Sequence, residues 1–286
     1  MRLLLTGAHG FTGRYVGEEA VAAGYEVVDL GADLTDAAAT AHAVRRITPS
    51  HVIHLGAISA VTHDDQLALY RVNLFGTLNL LRGLSALTEP PGKVILASSA
   101  NVYGNALHSP IREDVPPAPV NHYAMSKLAM EHLSAAQAER LPIVVTRPFN
   151  YTGVGHDQRF VIPKLVEHFA RRAPRIKLGN LEVEREFNDV RPVSRTYIRL
   201  LEHGVPGQAY NICSGRPVSL KSVIATLEEI SGHTMEVSVN TLFVRQNEVI
   251  RLCGDPAKIE GCVGPIQHVA LRDTLDWMLK ATAPRQ

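Results

Sequence analysis

Tyr123 and Lys127 stand four residues apart in His122-Tyr123-Ala124-Met125-Ser126-Lys127, and in a helix that spacing puts both side chains on one face. An ammonium beside a phenol favours the phenolate, which lets a tyrosine exchange a proton with a substrate oxygen near neutral pH. On an exposed face the same pair is unremarkable, so its neighbours decide. Upstream, Ser98-Ser99-Ala100-Asn101-Val102-Tyr103-Gly104 follows an apolar run and brings a hydroxyl that can hydrogen-bond a substrate carbonyl as hydride arrives. A turn-capping serine is the plainer reading for Ser98. Gly7, Gly10 and Gly13 lie between the first apolar run and the first helical pattern. There they permit a tight turn, close backbone approach to a phosphate and close helix packing, with the helix amino terminus facing the anion.

These groups meet only if the chain folds as alternating strands and helices. Leu3 to Leu5, Glu26 to Leu30, His51 to Gly56, Lys93 to Ala97 and Pro142 to Thr146 read as strands, and Phe11 to Ala23 and Tyr123 to about Glu139 as helices. The pattern predicts an α/β fold, a Rossmann-type doubly wound parallel sheet with its sites along the carboxyl ends of the strands. Residues 1–150 then form the dinucleotide-binding domain. Residues 151–286 form mainly a smaller carboxyl-terminal substrate lobe, with a helix from Val190 to Glu202 and a strand from Gln208 to Cys213 (about 190–212) returning to the first domain. Leu220 to Ser231 is a further helix, and the region after about Gly254 is too irregular to assign.

The 286 residues are 45% apolar and 20% charged, which excludes disorder as the main state. Lys plus Arg number 29 against 28 Asp plus Glu, and the net charge of +1 offers no long-range field for nucleic acid or an anionic membrane. Anions must be met locally. No run approaches the 18 or so apolar residues of a membrane span, and Met1 leads almost directly into Leu3-Leu4-Leu5, so the expectation is a cytoplasmic protein. The three cysteines and 13 histidines lack metal-ligand spacing, and no metal site is expected. The adenosine end is ambiguous. Asp29 is available, but Gly31 fills the slot seven residues past Gly24 where a ribose-binding acid is expected, and no arginine replaces it. NAD and NADP are not separated. Asp33 and Leu34 can reach the adenine rim, although an acid before Thr35 equally caps the next helix.

The turn Thr6-Gly7-Ala8-His9-Gly10-Phe11-Thr12-Gly13, the Ser98 to Gly104 segment and the Tyr123/Lys127 pair resemble the extended short-chain dehydrogenase/reductases that act on nucleotide sugars. The resemblance implies that Ser99 is the catalytic hydroxyl, Tyr123 the acid/base, and Lys127 the group that binds the nicotinamide ribose and tunes Tyr123. It implies NAD(P)H contacts from Gly7, Gly10, Phe11, Thr12, Gly13, Asp33, Leu34, Leu55, Gly56, Ala57 and Asn73. In Arg147-Pro148-Phe149-Asn150, it implies that Pro148 and Phe149 line the nicotinamide and Asn150 meets the substrate. It also implies a homodimer formed through the helices that end near Leu87 and Glu139.

Later segments are similar to enzymes of GDP-mannose metabolism: Gly179-Asn180-Leu181 followed by Arg185 and Phe187, then Arg245-Gln246-Asn247-Glu248. Arg185 and Arg245 can neutralise a diphosphate, Glu248 can accept from ribose hydroxyls, and Asn180 completes the substrate set. Surface salt bridging is the ordinary fate of each arginine taken singly. Relatives that dehydrate the sugar carry a glutamate where this chain has Asn101. An amide is no base near pH 7, so dehydration is disfavoured, and Asn101 is assigned to orienting the hexose. The chain as a whole is most similar to GDP-4-keto-6-deoxy-D-mannose reductases, which implies reduction of the C4 ketone of a GDP-4-keto-6-deoxyhexose. A nucleotide-sugar 4-epimerase is the alternative. From another class, the alternative is a noncatalytic nucleotide-sensing protein on this fold, a kind that commonly lacks the tyrosine or lysine present here. Gly264-Pro265 departs from the Gly-Trp-x-Pro stop common in relatives.

Overall fold

The computed structural model describes residues 1–59, 63–240, 243 and 248–282. In chain order the first half runs β1 (Arg2–Thr6), α1 (Phe11–Ala22), β2 (Glu26–Val28), α2 (Ala37–Ile47), β3 (His51–His54), α3 (Gln66–Tyr70), a π-helical turn (Arg71–Gly76), α4 (Thr77–Ser85), β4 (Lys93–Ala97), a 3₁₀ turn (Ala100–Tyr103), α5 (His122–Ala135) and β5 (Ile143–Pro148). The second half runs β6 (Tyr151–Thr152), α6 (Val161–Ala170), β7 (Arg175–Leu178), β8 (Glu184–Arg185), β9 (Asn188–Asp189), α7 (Val190–His203), β10 (Ala209–Ile212), β11 (Val218–Ser219), α8 (Leu220–Ser231), β12 (Glu236–Val239), β13 (Arg251–Leu252), α9 (Ala257–Val263) and α10 (Leu271–Thr282).

Among the described residues, the main sheet has the order β10-β5-β4-β3-β1-β2, and every pairing in it is parallel. Its inner strands β1, β3 and β4 are buried on both faces, as a parallel sheet covered by helices requires. The period of two is visible in β1 and β4: Leu3, Leu5 and Ile95 enter the core on the α1 and α7 side, while Leu4, Val94 and Leu96 face α2, α4 and α5. The chain leaves β1 toward β2 and returns across it to β3, so the order reverses between β1 and β3. That reversal leaves a crevice at their carboxyl ends.

The alternation read from the sequence is borne out, with shorter strands: β2 and β3 stop at Val28 and His54, before Leu30 and Gly56, and α5 stops at Ala135. The 190–212 segment supplies α7, which packs against α1, and β10, which pairs with β5. The region after Gly254 is two helices. Their pattern was hidden because α10 buries only a narrow stripe, Thr274, Leu275 and Met278, against α6 and α8 in a separate core with Phe169, Val223 and Leu227. No helix among the described residues is long and apolar enough to cross a membrane.

Candidate active site

The glycine turn is built as a cradle. Gly7 adopts φ of +72°, and a Cβ there would meet the Gly56 nitrogen at 2.9 Å, so the turns after β1 and β3 touch at the crevice. A Cβ on Gly13 would sit 2.0 Å from the Gly7 carbonyl oxygen. Only a hydrogen fits, and the first turn of α1 lies directly on the loop. Gly10 caps α1 with no side-chain hydrogen bond, which leaves the first-turn N–H groups of Phe11, Thr12 and Gly13 to an outside acceptor. Their side chains are engaged elsewhere. Phe11 stacks on His156 at 4.3 Å, and Thr12 Oγ1 pairs with the Tyr151 hydroxyl at 2.8 Å. That leaves the backbone N–H groups of Phe11 and Thr12, rather than their side chains, open toward the crevice.

A buried histidine ties the crevice walls together. Thr77 Oγ1 donates to the Asn73 carbonyl at 2.7 Å, so it must accept from His54 Nε2, 2.8 Å away. That leaves His54 Nδ1 as an acceptor from Thr6 Oγ1 at 2.6 Å, while Thr6 Oγ1 accepts from the Gly56 N–H at 3.1 Å. Every proton is assigned, and His54 is neutral: burial drives its pKa down to about 3, with Lys127 adding to the effect. Asn73 Oδ1 accepts from Ile58 N, and its Nδ2 donates to the Ile58 carbonyl and to Ser126 Oγ. The Asn73 side chain is thus a clasp from the loop holding Leu55, Gly56 and Ala57 to α5.

At the carboxyl end of β4, the Ser99 hydroxyl lies near enough to the Tyr123 phenol to bear on its acidity. Asn121 caps α5 by accepting from Ala124 N at 2.9 Å, which fixes the helix start two residues before Tyr123. Lys127 lies one turn on, its Nζ donating to the Ala97 carbonyl at 2.7 Å. The electrostatics correct the expectation that Lys127 acidifies Tyr123. Burial pushes the Tyr123 phenol up to about 12, opposed by the Ser99 hydroxyl, and burial brings Lys127 down to about 8, with Glu131 opposing. The sequence showed the i, i+4 spacing but not how dry the site is.

Other predicted residues divide. Leu34 packs beside Gly56 and Gly76, as expected for a rim of the crevice. Asp33 Oδ1 accepts from the Thr35 backbone and hydroxyl, bonds that hold its pKa below the usual carboxylate value, whereas the helix-capping role expected of it falls to Asp36 at the start of α2. Asp29 accepts from Gly31 N. The Phe149 side chain is 1% exposed and packs with Tyr103, Val102 and Cys213 in the cluster beneath the Ser99 turn, while Pro148 is partly open. Asn150 is exposed and Asn180 closes a turn by accepting from Glu182 N. Asn101 Nδ2 donates to Ser99 Oγ, which leaves its Oδ1 without a bond to Ser99. Arg185 bonds the Val249, Ile250 and Glu184 carbonyls, and Glu248 Oε2 is buried with no hydrogen-bond partner among the described residues. Arg245 lies outside the described residues.

Sequence reasoning missed the buried Arg147–Glu131 pair, 2.6 Å apart, with Arg147 also donating to the Tyr103 hydroxyl. It also missed a cavity of about 260 Å³ between α7, the end of β10 and residues 266–271, with Arg216 and His268 on its wall. None of the predicted site residues line that cavity, which opens beside Ile266, where the Gly-Trp-x-Pro pattern is absent.

A doubly wound parallel sheet carrying serine, tyrosine and lysine at its carboxyl edge beside a glycine-cradled helix start defines an extended short-chain dehydrogenase/reductase. The chain belongs to the NAD dependent epimerase/dehydratase family, whose model matches residues 3–213. It is 34% identical over 288 residues to the GDP-6-deoxy-D-talose 4-dehydrogenase of Aggregatibacter actinomycetemcomitans, covering 98% of this chain and 97% of that protein. It is 34% identical over 245 residues to the GDP-6-deoxy-D-mannose reductase of Pseudomonas aeruginosa, covering 80% of each. Among solved structures, RMD from Pseudomonas aeruginosa complexed with NADPH superposes with a TM-score of 0.89 at 31% identity over 98% of both chains.

Proposed function

We propose that this protein is an NAD(P)H-dependent oxidoreductase that reduces the C4 ketone of a GDP-4-keto-6-deoxyhexose. The observation that carries the reading is the placement of Ser99, Tyr123 and Lys127 together at the sheet edge, next to a helix start with no side-chain cap. The site fits a dinucleotide: the cradle at Gly7 and Gly13 has no room for a Cβ, and the N–H groups of Phe11, Thr12 and Gly13 face a pyrophosphate position. Leu55, Gly56, Ala57 and Leu34 would flank the adenosine half, Asp33 its rim, and Pro148 the nicotinamide. When bound, the reduced cofactor supplies the hydride.

The chain's own residues manage the oxygen. Ser99 and Tyr123 hold the ketone oxygen as donors, and Tyr123, protonated at neutral pH because burial keeps its pKa near 12, gives it a proton as the alkoxide develops. The Lys127 ammonium then offsets the phenolate left behind. Asn150, Asn180 and Glu248 are proposed contacts to the GDP-sugar, with Arg185 and Arg245 at its diphosphate; for Arg185 this requires release from the Val249 and Ile250 carbonyls. With Asp29 tied to Gly31 and no arginine beside it, both NADH and NADPH are to be tried. Leu67, Phe75, Met125 and Leu133 are exposed large apolar side chains on α3, the π-helical turn and α5, which supports a homodimer through that face, measurable by light scattering. A cytoplasmic location completes the proposal.

The test is incubation with freshly generated GDP-4-keto-6-deoxy-D-mannose and either reduced cofactor, following loss of nicotinamide absorbance and identifying the product. Stoichiometric oxidation with a GDP-6-deoxyhexose product is expected. No oxidation, with interconversion of C4 epimers on retained cofactor, would overturn the reading in favour of an epimerase.

A further inference from the structure

Ser99 is held by hydrogen bonds whose direction matters as much as their length. Its Oγ accepts from the Asn101 backbone N–H at 3.2 Å and from Asn101 Nδ2 at 3.1 Å. A hydroxyl has two acceptor lone pairs and one proton. With both lone pairs taken, the one Ser99 proton is left to be donated to a bound carbonyl oxygen.

We propose that Asn101 is a positioning residue that fixes Ser99 as a donor, so that its hydroxyl joins that of Tyr123 in donating to the substrate oxygen. The proposal rests on the hydride-transfer reading above. The turn that carries Asn101 is rigid: Val102 N donates to the Ser99 carbonyl, Gly104 N donates to the Asn101 carbonyl at 3.1 Å, and a Cβ on Gly104 would lie 2.0 Å from the Ala118 oxygen. A carboxylate in the same place only accepts. It would take the Ser99 proton and leave a Ser99 lone pair facing the substrate oxygen. The amide thus favours delivery of a proton to a ketone. In that step hydride adds to the carbonyl carbon, the carbonyl π pair moves to oxygen, oxygen takes the Tyr123 proton, and water reprotonates the phenolate.

Asn101→Asp, nearly the same shape, is the discriminating variant, with Asn101→Ala beside it. Both are assayed as full chains, with the nucleotide sugar that the wild type turns over, GDP- or UDP-linked, and saturating reduced or oxidised cofactor. Near-ultraviolet circular dichroism checks folding. For Asn101→Asp we expect kcat to fall about tenfold or more near pH 8, with KM changing by less than about threefold. Activity should recover on acidification, as the carboxyl regains a proton to donate, giving a pH limb that the wild type lacks. Asn101→Ala keeps the backbone donor and should lose less, without the new limb. Wild-type kcat in Asn101→Asp at every pH, or a loss that does not vary with pH, would overturn the proposal. If Asn101→Asp does not fold, wild-type kcat in Asn101→Ala overturns it equally. A wild type that turns over only UDP-sugars sinks the GDP-sugar reading and leaves this test intact, whereas one that transfers no hydride to any nucleotide sugar sinks both.

Discussion

Tyr123 is 7% exposed, and its desolvated hydroxyl holds its proton throughout the neutral range, as a proton donor to an alkoxide must. Tyr123→Phe should lower kcat for ketone reduction by about 10²- to 10⁴-fold while leaving cofactor affinity, read by nicotinamide fluorescence, within about twofold. Lys127 shows the cost of such a site. Its pKa falls from 10.5 to about 8, so between those values the unfolded chain binds the extra proton and stability rises with pH. Below about pH 8 the penalty of the buried ammonium is fully present. Lys127→Met should therefore raise stability at neutral pH by about 1–3 kcal/mol in thermal unfolding and abolish turnover. His54 has the same sign in a different window. Its folded value is about 3 against 6.5 unfolded, so its stabilising neutral state is fully expressed above pH 6.5 and is eroded as pH falls toward 3, by about 1.4 kcal/mol per unit. Denaturant melts between pH 7 and 5 should show that slope, and His54→Asn should flatten it.

Two glycines separate what the backbone needs from what it merely tolerates. Gly13 lies in the first turn of α1 with no room for a methyl group, so Gly13→Ala must pry the helix from the phosphate turn. It should cost roughly 3 kcal/mol or more and remove detectable cofactor binding by fluorescence titration. Gly261 is exposed inside α9, and a Cβ there would meet nothing within 4 Å. Gly261→Ala should stabilise by about 0.5–1 kcal/mol in thermal melts, with turnover unchanged. The sequence marked Gly13 as special through its place after an apolar strand, but it carried no equivalent sign for the capping Asn121 beyond its type. The Asn cap rule finds that residue once the helix start is known.

At the scale of the molecule, the active-site edge is braced from below. Arg147, at the end of β5, binds Glu131 of α5 with both side chains about nine-tenths buried, and it reaches the Tyr103 hydroxyl, which in turn donates to Asn211 of β10. One guanidinium thus links the helix bearing Tyr123 and Lys127 to the turn bearing Ser99 and Asn101. Arg147→Ala leaves Glu131 buried and uncompensated and should cost about 3–5 kcal/mol, while the double change Arg147→Met with Glu131→Met should recover much of that loss. Chemical denaturation of the single and double variants measures both.

The main sheet, the cradle and the Ser99, Tyr123 and Lys127 trio were legible because they are local: a period of two, a glycine spacing and an i, i+4 pair all lie within a few residues of chain. The β7–β12 and β8–β13 pairings, the helices after Gly254 and the fate of Phe149 and Asn73 were not. Each depends on which distant segment arrives: Gly254 against Phe149, or Ser126 against Asn73. The residue sequence alone thus determined which groups the site contains and along which edge they gather. Tertiary packing decided their protonation and direction, because desolvation and hydrogen-bond polarity are set by neighbours brought in from elsewhere in the chain, such as the Ala97 carbonyl holding Lys127 and the buried walls around Tyr123.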